Sequence, residues 1–154
     1  MEKTNVIRLL EQKKIPYTAH TYEADATKTG EEIAALLNED AERVFKTLVA
    51  QGKSGAYYVF VIPVNAELDL KKAALASGEK SVSMIRQKEL LSLTGYVHGG
   101  CSPIGMKKQF PTFFHETASG FEKIYFSAGK VGYQVEVSPE DLKNILRFEM
   151  AELV

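Results

Sequence analysis

The stretch from Thr94 to Lys108, TGYVHGGCSPIGMKK, sets four glycines and one proline within fifteen residues and closes on a lysine pair. Glycine lacks a Cβ, so the chain can take positive φ there and a ligand can come close to backbone N–H groups. Pro103 fixes one φ and removes one donor, which stiffens the turn. A loop of this kind can present amide donors to a phosphate or to an oxyanion developing on a carbonyl. The same composition also suits an ordinary tight turn, and composition alone leaves both open. Lys46 is the second candidate, a single cation among Val44, Phe45, Leu48 and Val49. Strand alternation puts it on the face of Val44 and Leu48, opposite Phe45, Thr47 and Val49. A buried lysine is costly unless paired, so that face must open onto solvent or a cleft. Lys46 is therefore either a cation in the wall of a site or a stem that snorkels from a solvated face.

Two nearby nucleophiles carry less. Ser102 lies in Gly100-Cys101-Ser102-Pro103-Ile104-Gly105, which lacks the G-x-S-x-G spacing of a hydrolase elbow, and no aspartate–histidine pair is evident to complete a triad. It reads as a hydrogen-bonding residue. Cys101 is the only cysteine, and His98 is close to it in sequence, so a nucleophilic pair is conceivable. The plainer reading is a small apolar filler.

Several elements must hold these residues. Thr4 can cap an amphipathic helix over residues 4–13, after which Ile15-Pro16-Tyr17 leads into an extended segment to Tyr22. Thr29-Gly30-Glu31-Glu32 has capping-box spacing and starts a second helix. Residues 44–50 and 57–64 read as a hairpin around Gly52 and Gly55. Residues 68–76 form a helix with Asp69 at its start and Gly78 past its end. A short strand over 81–85 and a helix over 86–93 lead to the glycine loop. Strands follow over 112–115, 123–127 and 132–137, and Ser138-Pro139-Glu140-Asp141 opens a last helix through about Met150. The mixture lacks regular βαβ alternation, so the expected class is α+β, with a mixed, mostly antiparallel sheet surrounded by helices.

Composition bounds the function. At 154 residues, 45% hydrophobic and 25% charged, the chain is expected to be one soluble globular domain over 1–154. No apolar run reaches the roughly 18–20 residues of a membrane span, and Met1-Glu2-Lys3-Thr4 begins no apolar signal core, so a cytoplasmic location is expected. One cysteine allows no intrachain disulfide and denies a structural zinc its thiolates; no metal and no cofactor are expected. A net charge of −1 argues against gripping long nucleic acid unaided. It leaves room for a local patch, for which Lys46, Lys71, Lys72, Lys107, Lys108 and Lys130 are the candidates.

The loop residues Gly95-Tyr96, Gly99-Gly100, Ser102-Pro103, Gly105 and Lys107-Lys108 resemble the signature of the YbaK/EbsC family. That family comprises bacterial editing proteins that deacylate tRNA for proline mischarged with cysteine. The likeness extends in order over nearly the whole chain, through His20-Thr21-Tyr22, residues 44–48 (VFKTL), residues 68–72 (LDLKK) and residues 124–130 (IYFSAGK). The resemblance implies a single editing domain in which Lys46 orients and stabilises, Tyr22 is a pocket residue, and Ser127 lines the pocket. It implies backbone donation from Gly99, Gly100 and neighbours, with Ser102 and Gly105 in the same loop. Family members carry an aliphatic residue at the position of Cys101, so the chemistry there needs no thiol from the protein. Gln134 stands where the family commonly has aspartate, and it supplies an amide oxygen and no anion.

The implied reaction is substrate-assisted: the cysteine thiol attacks its own ester carbonyl, and a cyclic thioester leaves. The implied partners are the acceptor end of the tRNA and prolyl-tRNA synthetase, with no membrane. Two rivals stay open, an editing activity on another mischarged tRNA such as alanyl-tRNA, and a binding module without turnover.

Overall fold

A computed structural model describes residues 2–154, in which two β-sheets meet at one isolated backbone rung, Val44 beside Tyr125. The larger sheet has the order β4-β2-β3-β5-β8, with β2 Phe45–Gly52, β3 Tyr57–Pro63, β4 Val82–Met84, β5 Thr112–His115 and β8 Glu149–Ala151. Strands β2 and β3 form the expected hairpin, with Lys46 opposite Ile62. Strand β4 joins β2 antiparallel, whereas β3–β5 and β5–β8 are parallel. The smaller sheet is antiparallel in the order β1-β7-β6, from Thr18–Thr21, Tyr133–Val137 and Ile124–Ser127.

Side-chain alternation divides the larger sheet into two working faces. Phe45, Val49, Val59, Val61 and Phe114 face the smaller sheet's Ile124, Phe126, Val135 and Val137, and α1 (Asn5–Gln12) adds Val6, Ile7 and Leu10 to that core. Ala50, Phe60, Ile62 and Phe113 face the other way, under Ala73 and Ala74 of α3 (Leu70–Ser77). A third, smaller cluster joins Ala34 of α2 (Gly30–Leu36) to Val44, Val64 and Tyr125, and so holds that helix over the rung between the sheets.

The helix starts are local chemistry. The Thr4 hydroxyl accepts from the Ile7 N–H at 3.2 Å, and Thr29 and Glu32 form a complete capping box ahead of α2. The Asp69 carboxylate accepts from Lys71 and Lys72 N–H groups, and Gly78 at φ +76° closes α3.

Three expectations need correction. The strands form two sheets, although antiparallel pairing does predominate. The segment 86–93 is a 3₁₀ turn, Gln87–Glu89, followed by α4, Leu90–Thr94. The last helix is a single turn, α5 Pro139–Leu142, where Ser138 makes no side-chain cap. Its expected continuation ends instead in β8. The Phe148 ring packs tilted against Phe114, with ring centroids 4.7 Å apart, and Phe114 pairs with Met150 across the strands. The edge of β5 thus satisfies backbone groups that a longer helix would have satisfied within itself.

His115 ties this C-terminal segment down: it is buried, and its Nδ1 accepts from the Leu153 N–H at 3.1 Å. Burial holds its pKa below the ordinary value. The unfolded chain therefore takes up the proton first as pH falls. The stability this group contributes is complete above its unfolded pKa of about 6.5 and is lost progressively as pH falls below it toward the folded-state value. We predict that urea unfolding shows declining stability between pH 7 and 5.5. His115→Asn, which keeps an acceptor for Leu153, should flatten that decline.

Candidate active site

Beyond the Val44–Tyr125 rung the two sheets no longer pair, and a cavity of about 450 Å³ lies between them. One wall is Val44 with β2 from Phe45 to Leu48, and the opposite wall is Ser127 of β6 and Gln134 of β7. The glycine loop contributes His98, Gly99 and Cys101, and the start of α2 contributes Lys28 to Glu31 and Ile33. A second cavity, of about 400 Å³ at the start of β5 and β8, contains none of the residues nominated from sequence.

Lys46 is half-buried in the wall and, among the described residues, makes neither a hydrogen bond nor an ion pair. That is the cleft alternative. Ser127 and Gln134 are direct cross-strand partners, so both side chains stand on one face of the smaller sheet, with His20 opposite Gln134 on its other side. The Ser127 hydroxyl accepts from the Gly129 N–H at 3.1 Å, which leaves its own proton free to donate. His20 is turned to Glu136, at 3.0 Å, and the Arg43 guanidinium reaches Glu39 at 3.0 Å.

Three buried side-chain atoms among the described residues have no hydrogen-bond partner: the Tyr22 hydroxyl, Thr47 Oγ1 and Gln134 Oε1. Such an atom costs about 1–3 kcal/mol. Two of these three residues line the cavity. Tyr22 is not in its lining; its backbone N–H donates to the Gly132 carbonyl at 2.9 Å, extending the β1–β7 ladder by one residue. Thr47 is the residue that sequence reasoning missed. Its place on the strand face opposite Lys46 makes it a core position, and its hydroxyl is buried there without a partner although the residue lines the cavity.

The loop is built for close approach. Gly99 has φ +86° and lines the cavity. A Cβ on Gly100 would stand 3.0 Å from the Val131 nitrogen and 3.2 Å from the Lys130 carbonyl carbon, so the loop packs backbone to backbone on the turn joining β6 and β7. The Gly100 N–H donates to the Val97 carbonyl at 3.0 Å and is committed there. Ser102 is fully buried, and its hydroxyl accepts from the Ile104 N–H at 3.4 Å. Gly105, at φ +76°, lies under the Tyr96 hydroxyl and Leu9. Gly100, Ser102 and Gly105 thus shape the loop, and none of them lines the cavity. Of the lysines considered for a patch, Lys72 is bound to Glu152 at 2.6 Å and Lys130 to Glu2 at 2.9 Å; Lys46 is at the cavity, joined there by Lys28.

Cys101 reaches the cavity from the main core, and burial pushes its thiol up to about 12. A thiol so placed supplies almost no thiolate at neutral pH.

Lys28 and Lys46, with Glu31, His98 and the Ser127 hydroxyl, thus line a cavity large enough for a small group at the end of a chain. The sequence profile of the aminoacyl-tRNA editing domain matches residues 24–145. The chain belongs to the aminoacyl-tRNA editing domain family. A similar protein is EbsC of Enterococcus faecalis, provisionally named a Cys-tRNA(Pro)/Cys-tRNA(Cys) deacylase, at 46% identity over 99% of this chain and 93% of that one. The proline-tRNA ligase of Shouchella clausii is 31% identical over 73% of this chain, a region that makes up 20% of the ligase. The same fold occurs in a solved structure described as a provisional trans-editing enzyme for prolyl-tRNA synthetase, with a TM-score of 0.82 at 23% identity, covering 99% of this chain and 98% of that one.

The buried thiol gives a direct test of the site's chemistry. Cys101 should react with a disulfide reagent at pH 8 at least about a hundredfold more slowly in the folded protein than in the unfolded chain. Equal rates would mean that the thiol is exposed and ionisable.

Proposed function

We propose that this protein is a trans-editing deacylase that removes cysteine from mischarged tRNA for proline. The observation that carries the reading is an unpaired lysine on a cavity that offers no competent nucleophile of its own. Cys101 is buried with its thiol pushed up to about 12, and Ser102 is buried off the cavity. The attacking group must therefore come from the substrate or from water.

The cysteine thiol is the better placed of the two. With an unperturbed pKa of about 8.5, it is a few per cent thiolate at neutral pH and intrinsically nucleophilic. Its sulfur adds to the ester carbonyl carbon, and the tetrahedral oxyanion collapses as the carbon–oxygen bond to the ribose breaks. The ribose oxygen takes the proton the thiol gave up, and a four-membered cyclic thioester leaves, which water then opens to cysteine. The protein's contribution is to fold the aminoacyl group into an attacking conformer, which can supply an effective molarity of about 10⁵ M or more. Lys46 stabilises the oxyanion electrostatically, with the Ser127 hydroxyl and the Gly99 backbone on the same cavity.

Such chemistry selects cysteine but not the tRNA. Lys28, Lys46 and His98 are a small basic rim for a single acceptor end, and a net charge of −1 offers little more. Prolyl-tRNA synthetase, the source of the mischarged tRNA, is the partner that would supply the remaining selectivity. The likeness to a segment of a proline-tRNA ligase supports that pairing.

The test is deacylation of purified cysteinyl-tRNA for proline with product analysis. The wild type should release the cyclic thioester, and Lys46→Ala should lower kcat by about 10²–10³-fold, the usual cost of an oxyanion stabiliser. Free cysteine as the first product would replace thiol attack with water attack. Unchanged turnover in Lys46→Ala would remove the lysine from the mechanism.

A further inference from the structure

One backbone rung fixes a point of contact between the two sheets and leaves the angle at which they diverge to side chains. The apolar core behind the rung holds them without direction. Beside the rung, on the outer face of the smaller sheet, stands a directional hold. Arg43 ends the turn Ala41–Arg43, immediately before the rung residue Val44. Its guanidinium meets the Glu39 carboxylate at 3.0 Å and approaches Glu136 of β7 at 3.9 Å, and it donates to the Lys123 carbonyl ahead of β6 at 3.2 Å. Both carboxylates are shared. The other oxygen of Glu39 accepts from the Tyr125 hydroxyl of β6 at 2.8 Å, and the other oxygen of Glu136 meets His20 Nε2 of β1 at 3.0 Å. Burial and the Glu39 carboxylate hold the Tyr125 hydroxyl above the ordinary tyrosine pKa, so it stays a donor. The guanidinium also lies over the Tyr125 ring, 5.4 Å from its centroid. The side chains of His20, Glu39, Arg43 and Glu136 are only 18–31% exposed, so salt screens them less than it would an open surface pair.

None of these side chains lines the cavity, but three share a sheet face with residues that do. Glu136 alternates with Gln134 on one face of β7, Tyr125 does so with Ser127 on β6, and His20 is the cross-strand partner of Gln134. On the facing side, Arg43 leads through Val44 into the strand that bears Lys46. One guanidinium therefore joins the segment carrying one wall of the cavity to the sheet carrying the other.

We propose that Arg43 is a positioning residue for the deacylase reaction, and so rests on that reading: by bridging Glu39 and Glu136 it sets the separation of the Lys46 wall from the Ser127–Gln134 wall. Arginine suits the place because its planar fork serves two carboxylates and a carbonyl at once, which the point charge of a lysine does not. The reaction needs that separation held, since Lys46 must meet the oxyanion while the opposite wall fixes the aminoacyl group. A misplacement of about 1 Å can cost about 10²-fold in rate.

The test combines deacylation kinetics on cysteinyl-tRNA for proline with amide NMR spectra of the same variants. Arg43→Met and Glu136→Gln should each lower kcat by about 10–10²-fold and leave KM within about threefold, because the rim that meets the acceptor end is untouched. The double variant should lose little more than the worse single one, as members of one network do. Arg43→Lys should fall between wild type and Arg43→Met, and it takes the place of Arg43→Met if that variant fails to melt cooperatively. In both Arg43 variants the resonances of the Ser127 backbone amide and the Gln134 side-chain amide should shift. Wild-type kcat in the Arg43 variants, a rise in KM alone, or unmoved Ser127 and Gln134 resonances would overturn the role and leave the deacylase reading standing. A wild type without deacylase activity removes that reading instead, and the spectra then decide by themselves whether Arg43 sets the wall.

Discussion

Pairing between β2 and β6 stops after one rung, and the cavity is what that interruption leaves. Val44 and Tyr125 bring the two sheets into backbone contact, and α2 is packed over the junction through Ala34 and Val64. Past the rung, Lys46 on one side and Ser127 and Gln134 on the other line the cavity. Strands held at one end by a rung and at the other by a shared core of Phe45, Val49, Phe126 and Val135 cannot close that gap by sliding, because a one-residue slip would turn every core side chain to the wrong face. Site geometry and core packing are in this sense the same constraint.

The arrangement costs stability where it provides function. Three unpaired buried atoms at about 1–3 kcal/mol each are a sizeable share of a typical net stability of 5–15 kcal/mol. The strain is offset by a rigid surrounding. The glycine loop is packed backbone to backbone at Gly100, pinned by the Tyr96 hydroxyl donating to the Ile104 carbonyl, and closed by the Lys107 N–H on the Thr94 carbonyl at 2.9 Å. The loop acts less as a cradle of amide donors than as a stiff lip. Gly100's own N–H is spent within it, while Gly99 and His98 are presented to the cavity.

Much of this was legible in the sequence where the signal is local. Thr4, Thr29, Asp69 and Gly78 mark helix ends by their own hydrogen bonds and backbone angles, and each does so here. Lys46 was legible because a charge inside an apolar strand needs an exit. What stayed hidden was non-local. Leu142, Ile145 and Leu146 continue a helical spacing, and nothing near them tells that β5 waits to pair with Glu149–Ala151. Thr47 alternates onto the core face and looks apolar by position, since its cavity is formed by a strand about eighty residues away in sequence. Ser102 and Gly105 belong to a loop that suggests a site, but their burial depends on Tyr96 and α1.

The claim on which the account turns is that the substrate's own side chain is the nucleophile. The most direct measurement compares cysteinyl and seryl esters of the same tRNA under one set of conditions. Serine is nearly the same size and keeps the amino group and carbonyl in place, but its hydroxyl is scarcely ionised at neutral pH. The account predicts that the seryl ester persists while the cysteinyl ester is fully released. Release of both at similar rates would contradict it and assign the attack to water.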